Sequence, residues 1–292
     1  MYTGVTLAML FWALSFIGYK EAYRFFEPMA LMFFRMLISS LFLTLVVGMA
    51  GPTEKIDRKD YPLFLLVAIF EPLLYFIGES YGMKFVTATT GSVIVSVIPL
   101  LVPVAAFLFF RERIGWFKIA GLSISFAGVL MVLLGRGFTL EASPAGVALM
   151  MLAVLSAVAY SLLISRLTVK YRPLTIVRIQ NILGAILFLP IFLATDLKAT
   201  LQVPFTWETL WPLLFLGIFP SSLSFIFFTR AIRDIGITRA NVFTNFIPVF
   251  TALFSFLILG ETFPASKIAG IPLVMAGLML AQYSLKKKAL AA

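Results

Sequence analysis

Glu71, Tyr75 and Glu79 are spaced four residues apart, so on a helix they share one face. Pro72 follows the first of them and cannot donate to the backbone ladder, which frees a carbonyl one turn earlier, near Ala68. Gly78 and Gly82 leave room beside that face. A carboxyl next to a free carbonyl on a bent helix suits a cavity wall, where Glu71 is positioned to carry a proton or to meet a cation. The alternative for Glu71 is a helix-to-helix ion pair, with Arg35 as the candidate partner. His and Cys are both absent, which removes the commonest general base and metal ligand, the thiolate nucleophile and any disulfide. No acid pair stands at metal-ligand spacing, so neither a metal nor another cofactor is expected. A GxxxxGK[ST] loop is also missing, which excludes ATP as the direct energy source.

A second set of polar groups follows helical spacing: Asn241, Thr244, Asn245, Pro248, Thr251 and Ser255. Ser92, Ser96, Pro99 and Pro103 form a similar stripe earlier in the chain. Small polar residues also serve as helix-to-helix glue in membranes, at about 0.6 kcal/mol each, so Ser and Thr carry less weight here than the two Asn. Trp12, Ser15 and Tyr160 fall inside apolar stretches, where an aromatic ring either packs or faces an amine-bearing solute. The candidate substrate-binding set is therefore Trp12, Ser15, Glu71, Tyr75, Glu79, Ser96, Tyr160, Asn241 and Asn245, with Glu71 as the coupling group. Pro99, Pro103 and Pro248 are candidate hinges, because proline is the usual cause of a sharp bend. Arg35 reads equally as a structural partner and as a substrate contact. Arg178, near a span end, is expected to snorkel to the surface.

The elements that must hold these residues follow from composition. Of 292 residues, 61% are hydrophobic and only 12% charged, against about 25% charged in a soluble domain. Such a chain needs lipid as its solvent, which excludes a soluble enzyme and a nucleic-acid-binding domain. A net charge of +10 then sets topology rather than binding nucleic acid. Windows of about 20 apolar residues mark ten candidate spans, near 2–19, 28–50, 61–82, 90–110, 116–134, 144–164, 173–194, 207–229, 240–260 and 264–284. The loops on the side of both termini hold fifteen Lys and Arg, and those on the other side hold six. By the positive-inside rule both termini are cytoplasmic.

The chain also repeats itself. At an offset of 149 residues, positions 87–132 align without gaps on 236–281. Thirteen of the 46 positions are identical, among them Pro99 with Pro248, Glu112 with Glu261, Gly128 with Gly277, and Lys118–Gly121 with Lys267–Gly270. Five spans per copy is an odd number, so the second copy must insert upside down. Inverted repeats recur in secondary transporters, with the substrate site near the midplane between the copies.

Trp12 to Phe16, Arg35, the segment from Thr87 through Pro99 to Glu112, Gly121 and Ala127–Gly128 resemble EamA-type transporters of the drug/metabolite transporter superfamily. So does the second copy, from Thr238 through Pro248 to Gly260–Glu261, Gly270 and Ala276–Gly277. The resemblance implies an all-α polytopic membrane protein with ten transmembrane helices in an inverted five-plus-five repeat, residues 1–138 and 139–292. It implies transport of a small organic metabolite such as an amino acid, amine or drug-like solute, often outward, without enzymatic turnover. Arg111 stands where the usual residue before Glu112 is Gly, as at Gly260; that loop is expected only to cap a helix. The expected partners are a small-molecule substrate, the lipid bilayer and protons, with no nucleic acid. The expected location is the bacterial plasma (inner) membrane. Uptake of a cationic or amine metabolite is the alternative. A membrane-embedded enzyme or a receptor-like subunit are the remaining, weaker readings.

Overall fold

The computed structural model describes residues 2–51, 54–110, 116–133 and 142–289. The loop with Arg111, Glu112 and Arg113, and Arg136, lie outside them. The described chain is helical: α1 (Tyr2–Ala22), α2 (Pro28–Ala50), α3 (Tyr61–Ala68), α4 (Tyr75–Phe85), α5 (Ala88–Val95), α6 (Ile98–Phe110), α7 (Trp116–Leu133) and α8 (Pro144–Thr168). It continues through α9 (Pro173–Thr195), α10 (Leu197–Thr200), α11 (Trp207–Ile218), α12 (Ser224–Ile235), α13 (Ile237–Val242), α14 (Phe246–Leu259) and α15 (Ala265–Ala289). Six continuous helical segments are long and apolar enough to cross a membrane: Tyr2–Ala22, Pro28–Met49, Arg58–Phe85, Pro144–Thr168, Pro173–Thr195 and Trp207–Ile235. Shorter apolar helices run over Ala88–Val102, Ile119–Val132, Phe243–Leu259 and Ala265–Gly277. Together they make a polytopic membrane protein.

Proline explains where the helices break. α3 joins α4 through a π-helical turn at Ile69–Leu74 that contains Pro72, and Glu71 there has extended backbone (φ −147°, ψ 115°). α11 joins α12 through a second π-helical turn, Phe219–Leu223, that contains Pro220. Pro220 has no N–H for the Leu216 carbonyl four residues back. The Ser221 hydroxyl donates to that carbonyl instead, at 2.8 Å, and Ser222 does the same for Gly217 at 2.8 Å. The window at 90–110 divides into α5 and α6, and Pro99 sits in the first turn of α6, where a missing N–H costs nothing. Pro103 is one turn further into α6. Pro248 likewise sits in the first turn of α14, after a 3-10 turn at Phe243–Asn245.

Small residues set the closest helix contacts, as expected where lipid gives no hydrophobic drive between helices. α7 packs on α15. A methyl at Gly128 would stand 2.8 Å from the Gly270 carbonyl oxygen, and one at Gly277 would stand 2.7 Å from the Gly121 carbonyl oxygen. α4 lies equally close to α8, where a methyl at Gly78 would meet the Ala153 nitrogen at 2.7 Å.

Carboxylates close exposed helix ends across long sequence distances. Asp196, at the C-terminal end of α9, accepts from the N–H groups of Met29 (2.8 Å) and Ala30 (2.9 Å) in the first turn of α2. Glu54, beyond the C-terminal end of α2, accepts from Arg172 N–H (2.5 Å) and the Thr175 hydroxyl (2.8 Å) at the start of α9. Each of these two packed helices thus has its N-terminus satisfied by an acid following the other, which also suits the positive N-terminal end of the helix dipole. Glu261, after the left-handed Gly260 (φ 65°) that ends α14, accepts from Ala88 N–H (2.9 Å) and the Thr89 hydroxyl (2.7 Å) at the start of α5.

Candidate functional site

A cavity enclosing about 700 Å³, counted to its mouth, lies among α1, α2, the Pro72 turn, α4, α5 and α6 on one side. On the other side its wall comes from α8, α12, α13 and α14. Trp12, Ser15, Glu71, Tyr75, Glu79, Tyr160 and Asn241 all line it, so the structure gathers seven of the nine sequence candidates around one cavity. Ser96 is buried at the end of α5, where its hydroxyl donates to the Val93 carbonyl at 2.6 Å. Asn245 is buried one turn beyond Asn241, and its side-chain oxygen has no hydrogen-bond partner. Neither is a wall residue of this cavity.

The extended backbone at Glu71 interrupts the helix, so the shared face inferred from spacing holds only for Tyr75 and Glu79, one turn apart on α4. Tyr75 donates its hydroxyl to Glu79 Oε1 at 2.8 Å. Tyr19 on α1 donates to Glu79 Oε2 at 2.5 Å. Arg35, 1% exposed, donates to the Tyr19 hydroxyl at 2.7 Å and to Ser221 Oγ at 2.5 Å. Its guanidinium carbon stands 4.4 Å from the Phe76 ring centroid, a cation-π geometry. Arg35 therefore engages Glu79 through Tyr19 and does not pair with Glu71. Glu71 is 7% exposed and has neither a hydrogen bond nor an ion pair among the described residues.

The other wall groups are mostly tied to the protein itself. The Trp12 indole N–H donates to the Pro220 carbonyl at 3.1 Å, a carbonyl on the π-helical turn of the opposite side. Its ring meets Phe225 and Phe228 edge-on, with centroids 5.3 and 5.0 Å away. Ser15 donates to the Trp12 carbonyl (2.7 Å), Tyr160 to Gln180 Oε1 (3.2 Å), Asn241 to the Ile237 carbonyl (2.9 Å) and Thr244 to the Asn241 carbonyl (2.7 Å). Behind the wall, Asn181 bonds Ser39 Oγ (2.6 Å) and the Ser221 carbonyl (2.9 Å), while Ser39 and Ser222 share a bond of 2.6 Å.

Sequence reasoning did not single out Tyr19, Gln180, Asn181, Phe225 or Phe228. For Gln180 and Asn181 the signal was present: two adjacent amides inside the apolar stretch 173–194 are costly unless paired. Tyr19, near the end of its span, is indistinguishable by sequence from an interfacial anchor. Arg178 reaches Thr44 Oγ1 at 3.3 Å in an exposed setting, rather than the cavity. Among the described residues, no group of three Asp or Glu could hold a metal ion.

The sequence pattern of the EamA-like transporter family matches residues 1–134 and again residues 144–283. The chain belongs to the EamA-like transporter family. Similar proteins include an uncharacterised transporter of Archaeoglobus fulgidus, 27% identical over 276 residues that cover 94% of this chain and 96% of that one. Another is a Streptantibioticus cattleyicolor protein named as a probable terminal-alkyne amino-acid exporter, 24% identical over 94% of this chain and 91% of that one. A solved crystal structure superposes with a TM-score of 0.72 over 97% of this chain and 98% of that chain, at 15% identity, which speaks to the fold alone. This EamA-like chain is thus a multi-pass membrane transporter rather than an enzyme.

Proposed function

We infer that this EamA-like protein is a secondary transporter that moves a small organic metabolite by alternating access, and that it runs as an exporter. The observation that carries the reading is the cavity, because both halves of the chain supply its wall: Glu71 and Tyr75 from one, Tyr160 and Asn241 from the other. A solute held there touches both bodies at once, so their relative motion exposes it to one side and then to the other.

The proposed architecture is ten spans in an inverted five-plus-five repeat, residues 1–138 and 139–292, with both termini cytoplasmic in a bacterial plasma membrane. Three observations support it. The 149-residue offset pairs Gly121 with Gly270 and Gly128 with Gly277. The α7–α15 contact brings Gly128 to Gly270 and Gly277 to Gly121, so it maps onto itself under the repeat, as a two-fold interface does. The π-helical turns at Pro72 and Pro220 fall at related places in the third span of each half. Pro99, Pro103 and Pro248 serve as hinges: Pro99 and Pro248 stand in the first turns of α6 and α14, and Pro103 removes one further N–H from the ladder of α6. Glu71 couples transport to protons, as the wall carboxyl with no partner inside the protein. The outward direction rests on the family resemblance and on the relative named as an exporter.

The test is transport by purified protein in proteoliposomes. Saturable counterflow of a metabolite that leaves the solute chemically intact supports the reading. Turnover of the solute, or permeation that does not saturate, contradicts it.

A further inference from the structure

The cavity's hydrogen-bonding inventory is lopsided. Trp12, Ser15, Tyr75, Tyr160, Asn241 and Thr244 each already donate to an acceptor of the protein. The acceptors are less occupied. The Glu71 carboxyl lines the cavity without a donor from the described residues. A ligand that satisfies Glu71 has to bring a donor or a positive charge to it.

Charge points the same way. The cavity is lined by one cation, Arg35, and two carboxyls, Glu71 and Glu79. Arg35 and Glu79 offset each other through the Tyr19 hydroxyl, with the guanidinium packed on Phe76. That leaves Glu71 as the carboxyl without a counter-ion among the described residues. A carboxylate entering there would face the two carboxyls Glu71 and Glu79, and the single cation lining the cavity, Arg35, already donates to Tyr19 and Ser221. The remaining wall is aromatic and aliphatic, with Trp12, Phe225 and Phe228 forming an edge-on cluster. Aromatic rings attract an ammonium and pack against an apolar body equally well.

We propose that the substrate is an apolar or aromatic amine carried as its ammonium ion, with no carboxylate of its own. The ammonium binds Glu71 through a charge-assisted hydrogen bond, and the apolar body lies against the Trp12 cluster. This assignment rests on the transporter reading above and narrows it from small organic metabolites to one chemical class. It sets the chain apart from the amino-acid export that its relative's name describes.

The experiment uses the full chain, first in detergent for binding and then in proteoliposomes for transport. Four probes share one ring: phenethylamine, phenylalanine, 3-phenylpropionate and 2-phenylethanol. Calorimetry is expected to give binding of phenethylamine, with phenylpropionate and phenylethanol weaker by about tenfold or more, the loss expected when a charge-assisted bond is removed, and phenylalanine weaker too because its carboxylate faces Glu71 and Glu79. Glu71→Gln is expected to weaken phenethylamine to the level of phenylethanol, and Glu71→Asp to keep binding within a few-fold. Retention of the wild-type elution volume by both variants shows that they fold. Phenethylamine bound and moved upholds both the amine assignment and the transporter reading. Phenethylamine bound but not moved overturns its assignment as substrate; the transporter reading stands if another probe is moved and fails if none is. Phenylalanine bound as tightly as phenethylamine, or tighter, overturns the assignment while its transport leaves the transporter reading standing. Failure of phenethylamine to bind, whatever the other probes do, overturns the assignment.

Discussion

Arg35 and Glu79 meet through a third residue: the Tyr19 hydroxyl receives from Arg35 at 2.7 Å and donates to Glu79 at 2.5 Å. The relay joins α2 to α4 through α1 and is buried at each member. In a medium with no water to replace a lost partner, such a relay fixes three helices in one arrangement, provided every member stays satisfied.

Breaking the relay at one end is therefore expected to be severe. Arg35→Met leaves Glu79 buried without its counter-charge and is expected to cost about 3–5 kcal/mol. Tyr19→Phe removes one hydroxyl and is expected to cost about 1–3 kcal/mol. The double change Arg35→Met with Glu79→Gln is expected to recover much of the first loss. Thermal melting of the purified variants in one detergent measures all three.

Glu71 is expected to behave in the opposite way. It has no hydrogen bond to lose, so Glu71→Gln is expected to melt close to the wild-type temperature while transport falls to background. Counterflow assayed across pH on that variant is the measurement. Transport at the wild-type rate throughout would end the coupling role.

Asn245 reports on the motion of the other side of the cavity. The chain has no cysteine, so a single Cys can be placed without background. Asn245 is 4% exposed in this conformation. Asn245→Cys is expected to react slowly with a water-soluble thiol reagent, at a rate that transported solute changes. A folded variant that never labels would place this face permanently inside packed protein.

Glu54 gives a pH signature outside the spans. Partial burial pushes its carboxyl up, but backbone N–H bonds at Glu54 and Arg172, together with the Thr175 hydroxyl, outweigh this and hold it below the ordinary value. A carboxyl with a lowered folded value contributes stability above its unfolded pKa, about 4.3, and loses it as pH falls through the folded value. Wild-type melting is expected to drop over that acid range by more than Glu54→Gln does. At neutral pH the variant is expected to be less stable by about 1 kcal/mol, the usual worth of a helix cap.

Ionisable residues in apolar surroundings were legible from sequence because insertion makes them expensive: Glu71, Glu79 and Arg35 stand out against their neighbours and all three line the cavity. The partner of Arg35 was not legible. A tyrosine at a span end carries no mark that separates Tyr19 from an interfacial anchor, so Glu71 was the more visible candidate. Spacing also misplaces Ser96. The break between α5 and α6 turns the chain just after it, and its hydroxyl folds back on Val93. The carboxylate caps by Glu54, Asp196 and Glu261 reach helices more than a hundred residues away, and no local pattern encodes such a contact. The breaks themselves were readable, because Pro72, Pro99, Pro220 and Pro248 each lack the N–H that a continuous helix needs.

We infer that solute crosses because the two halves move against each other around the shared cavity. The most direct measurement is a cysteine pair set across the contact between α6 and α13, in proteoliposomes that show counterflow. Oxidation to a complete cross-link is expected to stop counterflow, and reduction to restore it. Undiminished counterflow with the cross-link complete would contradict rocking of the halves and point to a fixed, channel-like path.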